Sequence, residues 1–165
     1  MSDKHFGKNL IRVAFSRMIS LLASIAVGLL LPKIFSITDY GYFKVFTLYS
    51  VYTALLHFGF VDGILLKLAG QNYLDLDRKK IRAYTCFFIS FEVIISLAVL
   101  ICGAIWAKGE YLFLLVMLAV NMVFVNVTTY YQFISQATQR FSEYSAKNII
   151  VSTAKLVFVG ALFAI

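Results

Sequence analysis

The chain has 165 residues, of which 61% are hydrophobic and 14% are charged, against roughly a quarter charged in an average soluble domain. A water-exposed surface cannot be built from so few charges, and the many aliphatic and aromatic residues also exclude a disordered or collagen-like chain. The net charge of +7 does not indicate nucleic-acid binding, because the cations fall in short gaps between apolar runs and not in a basic domain.

Five apolar runs are long enough to cross a hydrocarbon core about 30 Å thick, which takes roughly 20 helical residues. The first follows a polar, basic segment that does not resemble a cleaved signal peptide. The predicted helices are 13–35, 43–66, 84–107, 111–136 and 148–165. The sequence therefore predicts an all-α integral membrane protein with five transmembrane helices.

Two of the connections between these helices are short. The stretch "SITDYGYF", with Asp39 and Gly41, predicts a turn between the first and second helices. The residues "KGE" are the whole predicted connection between the third and fourth. Helices joined so closely are predicted to be antiparallel neighbours.

The Lys and Arg residues outside the predicted spans are distributed unequally between the two sides of the membrane. Ten lie on the side of the N-terminus and three on the opposite side. Because cytoplasmic loops are enriched in Lys and Arg, this bias predicts a cytoplasmic N-terminus. The ten are Lys4, Lys8, Arg12, Lys67, Arg78, Lys79, Lys80, Arg82, Arg140 and Lys147, and the three are Lys33, Lys44 and Lys108.

Each predicted span has a polar face, which is typical of a bundle around an aqueous cavity. In the first helix, Ser20, Ser24 and Gly28 are also spaced for close packing against another helix, which would explain the stripe by size alone. The polar and small residues of the five spans are, in chain order, Ser16, Arg17, Ser20, Ser24 and Gly28; Lys44, Thr47, Ser50, Thr53 and His57; Glu92, Ser96 and Gly103; Asn121, Thr128, Gln132, Ser135 and Gln139; and Asn148, Ser152 and Lys155.

Ionisable side chains inside a span are candidate functional groups, because an unpaired charge at the bilayer centre costs about 3 kcal/mol. Glu92 lies two to three turns from the nearer end of its predicted helix, too deep to reach either interface. It is therefore the predicted member of a paired or ion-coupling site, with Arg17 and His57 as candidate partners. The polar face of the second predicted helix includes His57 and runs towards Asp62, so Asp62 is a further candidate member of this site.

Three cations near the ends of the spans form a second set of candidates. Arg17 and Lys155 are predicted at a similar depth near the cytoplasmic ends of their helices, and Lys44 near the outer face. A guanidinium and an ammonium at matching depth would suit a phosphate-bearing substrate. The alternative is that these side chains simply extend to the interface.

Two spacings resemble catalytic motifs. "HFGFVD" places His57 and Asp62 five residues apart, as in lipid acyltransferases, but on a continuous helix the two would point about 140° apart and would meet only if the helix broke at Gly59. Asp75 and Asp77 have an acid-x-acid spacing, which a charge-balanced loop explains equally simply. Glycine-loop, zinc-site and nucleophile motifs are absent from the sequence, so no catalytic, cofactor or metal site is predicted.

The stretch "LPKIFSITDYGYFKVFTLYSVYTALLHFGFVDGILLKLAG" resembles the first two helices of the O-antigen and polysaccharide flippases in the multidrug/oligosaccharidyl-lipid/polysaccharide exporter superfamily. In that family a Leu-Pro pair ends the first helix, an acidic residue precedes Tyr-Gly-x-Phe or Tyr, and the second helix closes on glycine and a basic residue. The matching residues are Pro32, Asp39, Tyr40, Gly41, Phe43, Gly59, Gly63 and Lys67, the last standing where the family usually has Arg.

The resemblance implies the start of a bundle of twelve or fourteen helices whose two lobes surround a cationic cavity. It implies a protein of the bacterial inner membrane that flips lipid-diphosphate-linked oligosaccharides outwards by alternating access, with membrane lipid and the remaining helices as partners. Arg17, Lys44 and Lys155 are then the candidate substrate-binding cations. The sequence stops within an apolar run, which fits an N-terminal fragment of such a transporter.

Two other classes of function stay open. A structural or assembly membrane protein would have the same composition. A drug or cation exporter of the same superfamily would be expected to have an acidic cavity, whereas the first helix carries Arg17 and no acid. An enzyme and a nucleic-acid partner are not predicted.

Overall fold

The computed structural model describes the backbone of residues 3–163 and the side chains of residues 7 and 9–162. Outside them lie the side chains of Lys4 and Lys8 and the predicted helix end at Ile165. In the described part the chain is helical and contains no β-strand. Its helices are α1 (Asp3–Ile34), α2 (Ile37–Thr53), α3 (Phe60–Leu68), α4 (Arg78–Ala104), α5 (Glu110–Ala137) and α6 (Phe141–Phe163), with short 3-10 turns at Ala54–His57 and Tyr73–Asp75.

Four of these helices, α1, α4, α5 and α6, are long and apolar enough to cross a membrane. The segments Ile37–His57 and Phe60–Leu68 pass the same test together, although the chain bends by 55° between them. The prediction of an all-helical chain with several helices long and apolar enough to cross a membrane is therefore confirmed, with four such helices or five if the bent pair is one span.

The second predicted helix, 43–66, is wrong as a continuous element. After α2 the chain tightens into a 3-10 turn, and Phe58 and Gly59 then adopt left-handed backbone angles with φ of 47° and 74°. A right-handed helix cannot continue through such residues, so α3 starts afresh at Phe60. The hydropathy of the sequence does not reveal this break, because the residues on both sides of it are apolar.

The turn predicted at Asp39 and Gly41 is also wrong, because α2 already begins at Ile37. The Ser36 Oγ accepts the Asp39 backbone N–H at 3.1 Å and donates to the Asp39 carboxylate at 2.6 Å. The first of these bonds satisfies a backbone N–H of the first helical turn, as an N-cap serine does, so the helix starts immediately after α1 ends.

The third helix begins at Arg78 and not at the predicted residue 84, because Asp77 caps it. The Asp77 carboxylate accepts the backbone N–H groups of Lys80 and Lys79 at 3.3 and 3.0 Å, and its side chain lies 3.6 Å from the Lys80 ammonium. The hydrogen bond from the Lys80 N–H, followed by the Lys79 N–H and the Lys80 charge, holds the pKa of Asp77 below its ordinary value. The cations that follow are therefore helical residues and not part of a loop.

The fifth predicted helix likewise begins earlier than residue 148. Phe141 is the first residue of α6, which places Lys147 within this apolar helix and not in the connection before it. Arg140, just before the helix, forms an ion pair with Glu143 in its first turn.

The chain divides into two compact units. The first contains α1, the start of α2 and α6. Within it Arg17 contacts Tyr144 and Ser20 contacts Ser152, so positions on both helices increase together. Helices α1 and α6 are therefore parallel.

The second unit, Tyr42–Thr138, contains the rest of α2 together with α3, α4 and α5. Ser96 Oγ donates to the Ala119 carbonyl at 2.7 Å, and Thr85 and Tyr130 hydroxyls lie 3.1 Å apart. Positions on α4 therefore increase as those on α5 decrease, and the predicted antiparallel packing of the third and fourth helices is confirmed. The connection is Ile105–Gly109, slightly longer than the predicted "KGE".

The bent pair α2 and α3 runs parallel to α5 along most of its length. Asn121 donates to Ser50 Oγ at 3.3 Å, near the middle of α5. At the far end of the pair, the Gly70 backbone N–H donates to the Ala137 carbonyl at 3.2 Å, at the last residue of α5. The chain thus keeps its direction through the 55° bend.

A hydrophobic core forms where α3 packs between α4 and α5. The rings of Phe60 and Phe88 stack with centroids 5.1 Å apart, and Phe88 stacks on Tyr130 at the same distance. This core supports the short helix α3, whose nine residues are too few to be stable alone. Its buried members are Val61, Ile64, Leu68, Leu76, Phe88, Tyr130, Ile134 and Ala137.

Candidate functional site

The break in the second span lies beside a fully buried carboxyl group, that of Glu92 in α4. Glu92 has no exposed surface. It stands fourteen positions after the first residue of α4 and twelve before the last. A carboxylate at the midpoint of an apolar helix is costly in a bilayer unless it is neutral or partnered, so Glu92 is a candidate functional residue.

Asn126 of α5 links Glu92 to the break. Its side-chain Nδ2 donates to the Glu92 Oε2 at 2.8 Å and to the Thr53 carbonyl at 3.2 Å. Thr53 is the last residue of α2 and the N-cap of the 3-10 turn that follows, so Asn126 bonds to the chain at the point where it leaves the α-helix. The amide group of Asn126 therefore joins three helical segments at one point, and it is itself only 1% exposed.

Two oxygens of this cluster have no hydrogen-bond partner among the described residues, Glu92 Oε1 and Asn126 Oδ1. Both are acceptors when Glu92 is ionised, and a buried acceptor without a donor is unfavourable by about 1–3 kcal/mol. A proton on Glu92 would supply the missing donor, and a small cation would supply positive charge to both oxygens. The pair is therefore a candidate site for one positive charge, carried by a proton or a cation.

The predicted partners of Glu92 were Arg17 and His57, and the sequence reading missed Asn126. No hydrogen bond or ion pair joins His57 to Glu92 among the described residues, and Arg17 bonds to Tyr144 of α6. The polar residues singled out in this helix follow another face, on which Thr128 is exposed, while the buried face carries Met122, Asn126 and Tyr130. The feature of the sequence that could have identified Asn126 is its spacing of four residues from Met122 and from Tyr130, which puts the three on one face of the helix.

His57 and Asp62 do not form a catalytic pair, although the helix does break at Gly59. The His57 Nδ1 accepts the Gly59 backbone N–H at 3.1 Å, and Asp62 is exposed in the first turn of α3. Among the described side chains no hydrogen bond or ion pair joins the two. The nitrogen that an orienting carboxylate would contact is instead used to fix the turn.

Arg17 is held against Tyr144 of α6. Its guanidinium donates a hydrogen bond to the Tyr144 hydroxyl and lies 5.2 Å from the centroid of that ring. Tyr144 is buried, whereas Arg17 is exposed. A cation over an aromatic face keeps its charge and several of its five donors available for another ligand.

Lys155 of α6 and Lys44 of α2 are also exposed. Lys155 is eleven positions beyond Tyr144 in α6, which is about 16 Å along the helix axis. The structure therefore does not bring the Arg17 guanidinium and the Lys155 ammonium together at one point. Lys44 is the eighth residue of α2.

The small-residue stripe of α1 forms a contact at one of its three predicted positions. Ser20 and Ser152 hydroxyls lie 2.6 Å apart, whereas Ser24 and Gly28 are exposed. The buried face of α1 instead carries Ser16, Ala23 and Leu31. Within the described residues, Ser24 and Gly28 therefore do not pack closely against another helix.

No protein-family model, curated protein or solved structure matches this chain. Among the described residues no group of three or more His, Cys, Asp or Glu side chains is arranged to hold a metal ion.

Proposed function

We propose that the chain is part of a membrane transporter that flips lipid-diphosphate-linked oligosaccharides across the bacterial inner membrane. The observation that carries the proposal is the buried Glu92–Asn126 pair beside the break in the second span. Secondary transporters place coupling ions near the bilayer midplane at interrupted helices, where backbone carbonyls and carboxylates are available. A structural membrane protein has no need of an ionisable group at this depth.

The charge of the chain supports an anionic substrate. The sequence carries seven more cationic than anionic side chains, and Arg17 is exposed and oriented by Tyr144. A guanidinium held in this way binds phosphate oxygens with little loss of side-chain entropy. The resemblance of residues 31–70 to polysaccharide flippases makes a lipid diphosphate the substrate of choice, and the remaining helices of the transporter would complete the cavity.

The helix directions support five crossings with the N-terminus in the cytoplasm. Helix α5 runs against α4 and along α2 and α3, as alternate crossings do. If α2 and α3 together make one crossing, three crossings lie between α1 and α6 along the chain. Each crossing reverses the direction of the chain, so α1 and α6 would cross in the same direction. This agrees with their parallel packing. The excess of Lys and Arg at residues 67–82 favours the cytoplasm for that connection.

We expect cysteines at positions 72 and 108 to differ in accessibility. In a Cys86→Ser/Cys102→Ser background, an impermeant maleimide applied to intact cells should label Lys108→Cys and spare Asn72→Cys, with the pattern lost after permeabilisation. Labelling of position 72 alone in intact cells would show that the proposed orientation is inverted.

The substrate is tested in a strain from which the gene of this chain has been deleted. We expect radiolabelled lipid-linked oligosaccharide to accumulate on the cytoplasmic leaflet and surface polysaccharide to be lost, because a charged headgroup does not cross the bilayer unaided. Re-expression of the full gene is the control and should restore both. Normal flipping with altered sugar modification would instead indicate an enzyme, and normal flipping with unchanged sugars would favour an assembly role.

A further inference from the structure

A cavity of about 570 Å³ opens at the N-terminal end of α4. Its size falls within the range of small-molecule sites in proteins, roughly 300–1,000 Å³. It lies entirely within the second unit, some distance along α4 from the Glu92 cluster, and none of the candidate residues discussed above lines it. Its walls are Tyr73, Leu76, Arg78, Ile81, Arg82, Thr85, Cys86 and Tyr131.

Two guanidinium groups face this cavity from successive turns of the same helix. Arg78 and Arg82 are four positions apart, both are exposed, and neither has a hydrogen-bond or ion-pair partner among the described residues. The carboxylate of Asp77 does not neutralise them, because it is used by the helix cap and Lys80. Two like charges held this close favour an anion between them, and the planar guanidinium suits the oxygens of a phosphate.

The polarity of the cavity changes along its length. Arg78 stands at the first residue of α4, and Cys86 lies eight positions further in, which is about 12 Å along the axis. Arg78 and Arg82 line its outer part, with Ile81 between them along the helix and Leu76 on the loop side, and Thr85 and the Cys86 thiol line its inner end. A ligand that fills the whole cavity must therefore be charged at its outer end and apolar at its inner end.

We propose that this cavity binds the phosphate headgroup of an anionic membrane lipid. The phosphate would lie between Arg78 and Arg82, and the first part of the acyl chains would follow the apolar wall into the bilayer. Basic pockets between transmembrane helices bind lipid headgroups by this combination of charge and depth. Because binding is measured on resting protein, the site stands or falls separately from the transport proposed above.

The test uses dioctanoyl phosphatidate with the full chain purified in a non-ionic detergent. We expect this probe to bind with a Kd that rises by about tenfold or more in Arg78→Gln/Arg82→Gln, since two charge-assisted hydrogen bonds are lost. The matched control is Lys79→Gln/Lys80→Gln, which removes the same net charge from residues that do not line the cavity. Its Kd should change by less than about threefold, the weak effect of an exposed charge.

The native thiols report where the probe binds and require no substitution. Cys86 lines the cavity, and Cys102 is exposed towards the other end of the same helix. Saturating phosphatidate should slow the reaction of Cys86 with maleimide and leave that of Cys102 unchanged. This measurement keeps the test valid if the Arg variants fail to fold.

Four results would overturn the proposal. Equal weakening in the Arg and Lys variants would mean attraction to the positive surface and not to the cavity. Equal binding of dioctanoylglycerol, or inorganic phosphate competing at the affinity of phosphatidate, would exclude a site for a lipid phosphate. Unchanged labelling of Cys86 at saturating phosphatidate would place the probe elsewhere.

Discussion

Glu92→Gln is expected to reduce export of the lipid-linked oligosaccharide on the order of tenfold or more while leaving the amount of protein in the membrane unchanged, a size typical of coupling between two ligands. Gln has the shape of a protonated Glu: its amide can accept from Asn126 Nδ2 and donate to Asn126 Oδ1, so both orphan oxygens of the pair are satisfied. It cannot, however, bind or release a proton or a cation. The substitution therefore removes the ion-handling role and keeps the structural one.

The control for this variant is Ser96→Ala. Ser96 lies one turn further along α4, is also buried, and donates to a backbone carbonyl of α5 at 2.7 Å. Its loss removes an interhelical hydrogen bond worth about 1 kcal/mol in a membrane but no ionisable group, so export should be retained. Asn126→Leu should lower stability by more than Ser96→Ala, because it removes the donor to both Glu92 and Thr53 and leaves the buried Glu92 carboxylate without a hydrogen bond.

The measurement is export per transporter in the deletion strain across the physiological pH range. The titratable groups near the pair are Glu92 itself and His57, so Glu92→Gln is compared with the wild type and with His57→Gln. If export by Glu92→Gln equals that of the wild type at every pH, Glu92 is a structural residue and the ion-coupling role is excluded.

Arg17→Ala is expected to lose export on the order of tenfold or more, because a charge-assisted contact to phosphate contributes about 1.5–3 kcal/mol. Arg17→Lys should retain part of the activity, since it keeps the charge without the planar fork. Lys155→Ala should also lose export. Because Arg17 contacts Tyr144 and Lys155 lies eleven positions further along α6, we expect their effects to add, as for sites without shared partners.

Tyr144→Phe separates the two explanations of the Arg17 effect. It removes the hydroxyl that accepts from Arg17 and keeps the aromatic ring beneath the guanidinium. If Arg17 serves only to hold α1 against α6, this variant should lose membrane abundance as Arg17→Ala would. If Arg17 binds substrate, Tyr144→Phe should retain most of its export, and full export by Arg17→Ala/Lys155→Ala would exclude both cations as substrate ligands.

The sequence by itself determined the class of protein and the approximate positions of the spans. Composition and run length are sufficient for this, because a bilayer requires about 20 apolar residues in a helix whatever the rest of the fold does. Glu92 was also recognisable from the sequence, since depth within an apolar run identifies a buried charge before any partner is known.

Only the tertiary structure decided what these residues contact. The helix break at Phe58 and Gly59 depends on α3 packing into the core with Phe88 and Tyr130, and hydropathy cannot report a backbone angle. The pairing of Glu92 with Asn126 depends on the antiparallel register of α4 and α5, and the direction of Arg17 depends on the offset between α1 and α6. The Glu92–Asn126 and Arg17–Tyr144 contacts join residues 34 and 127 positions apart, and such distant pairs are set by the packing of whole helices and not by local sequence.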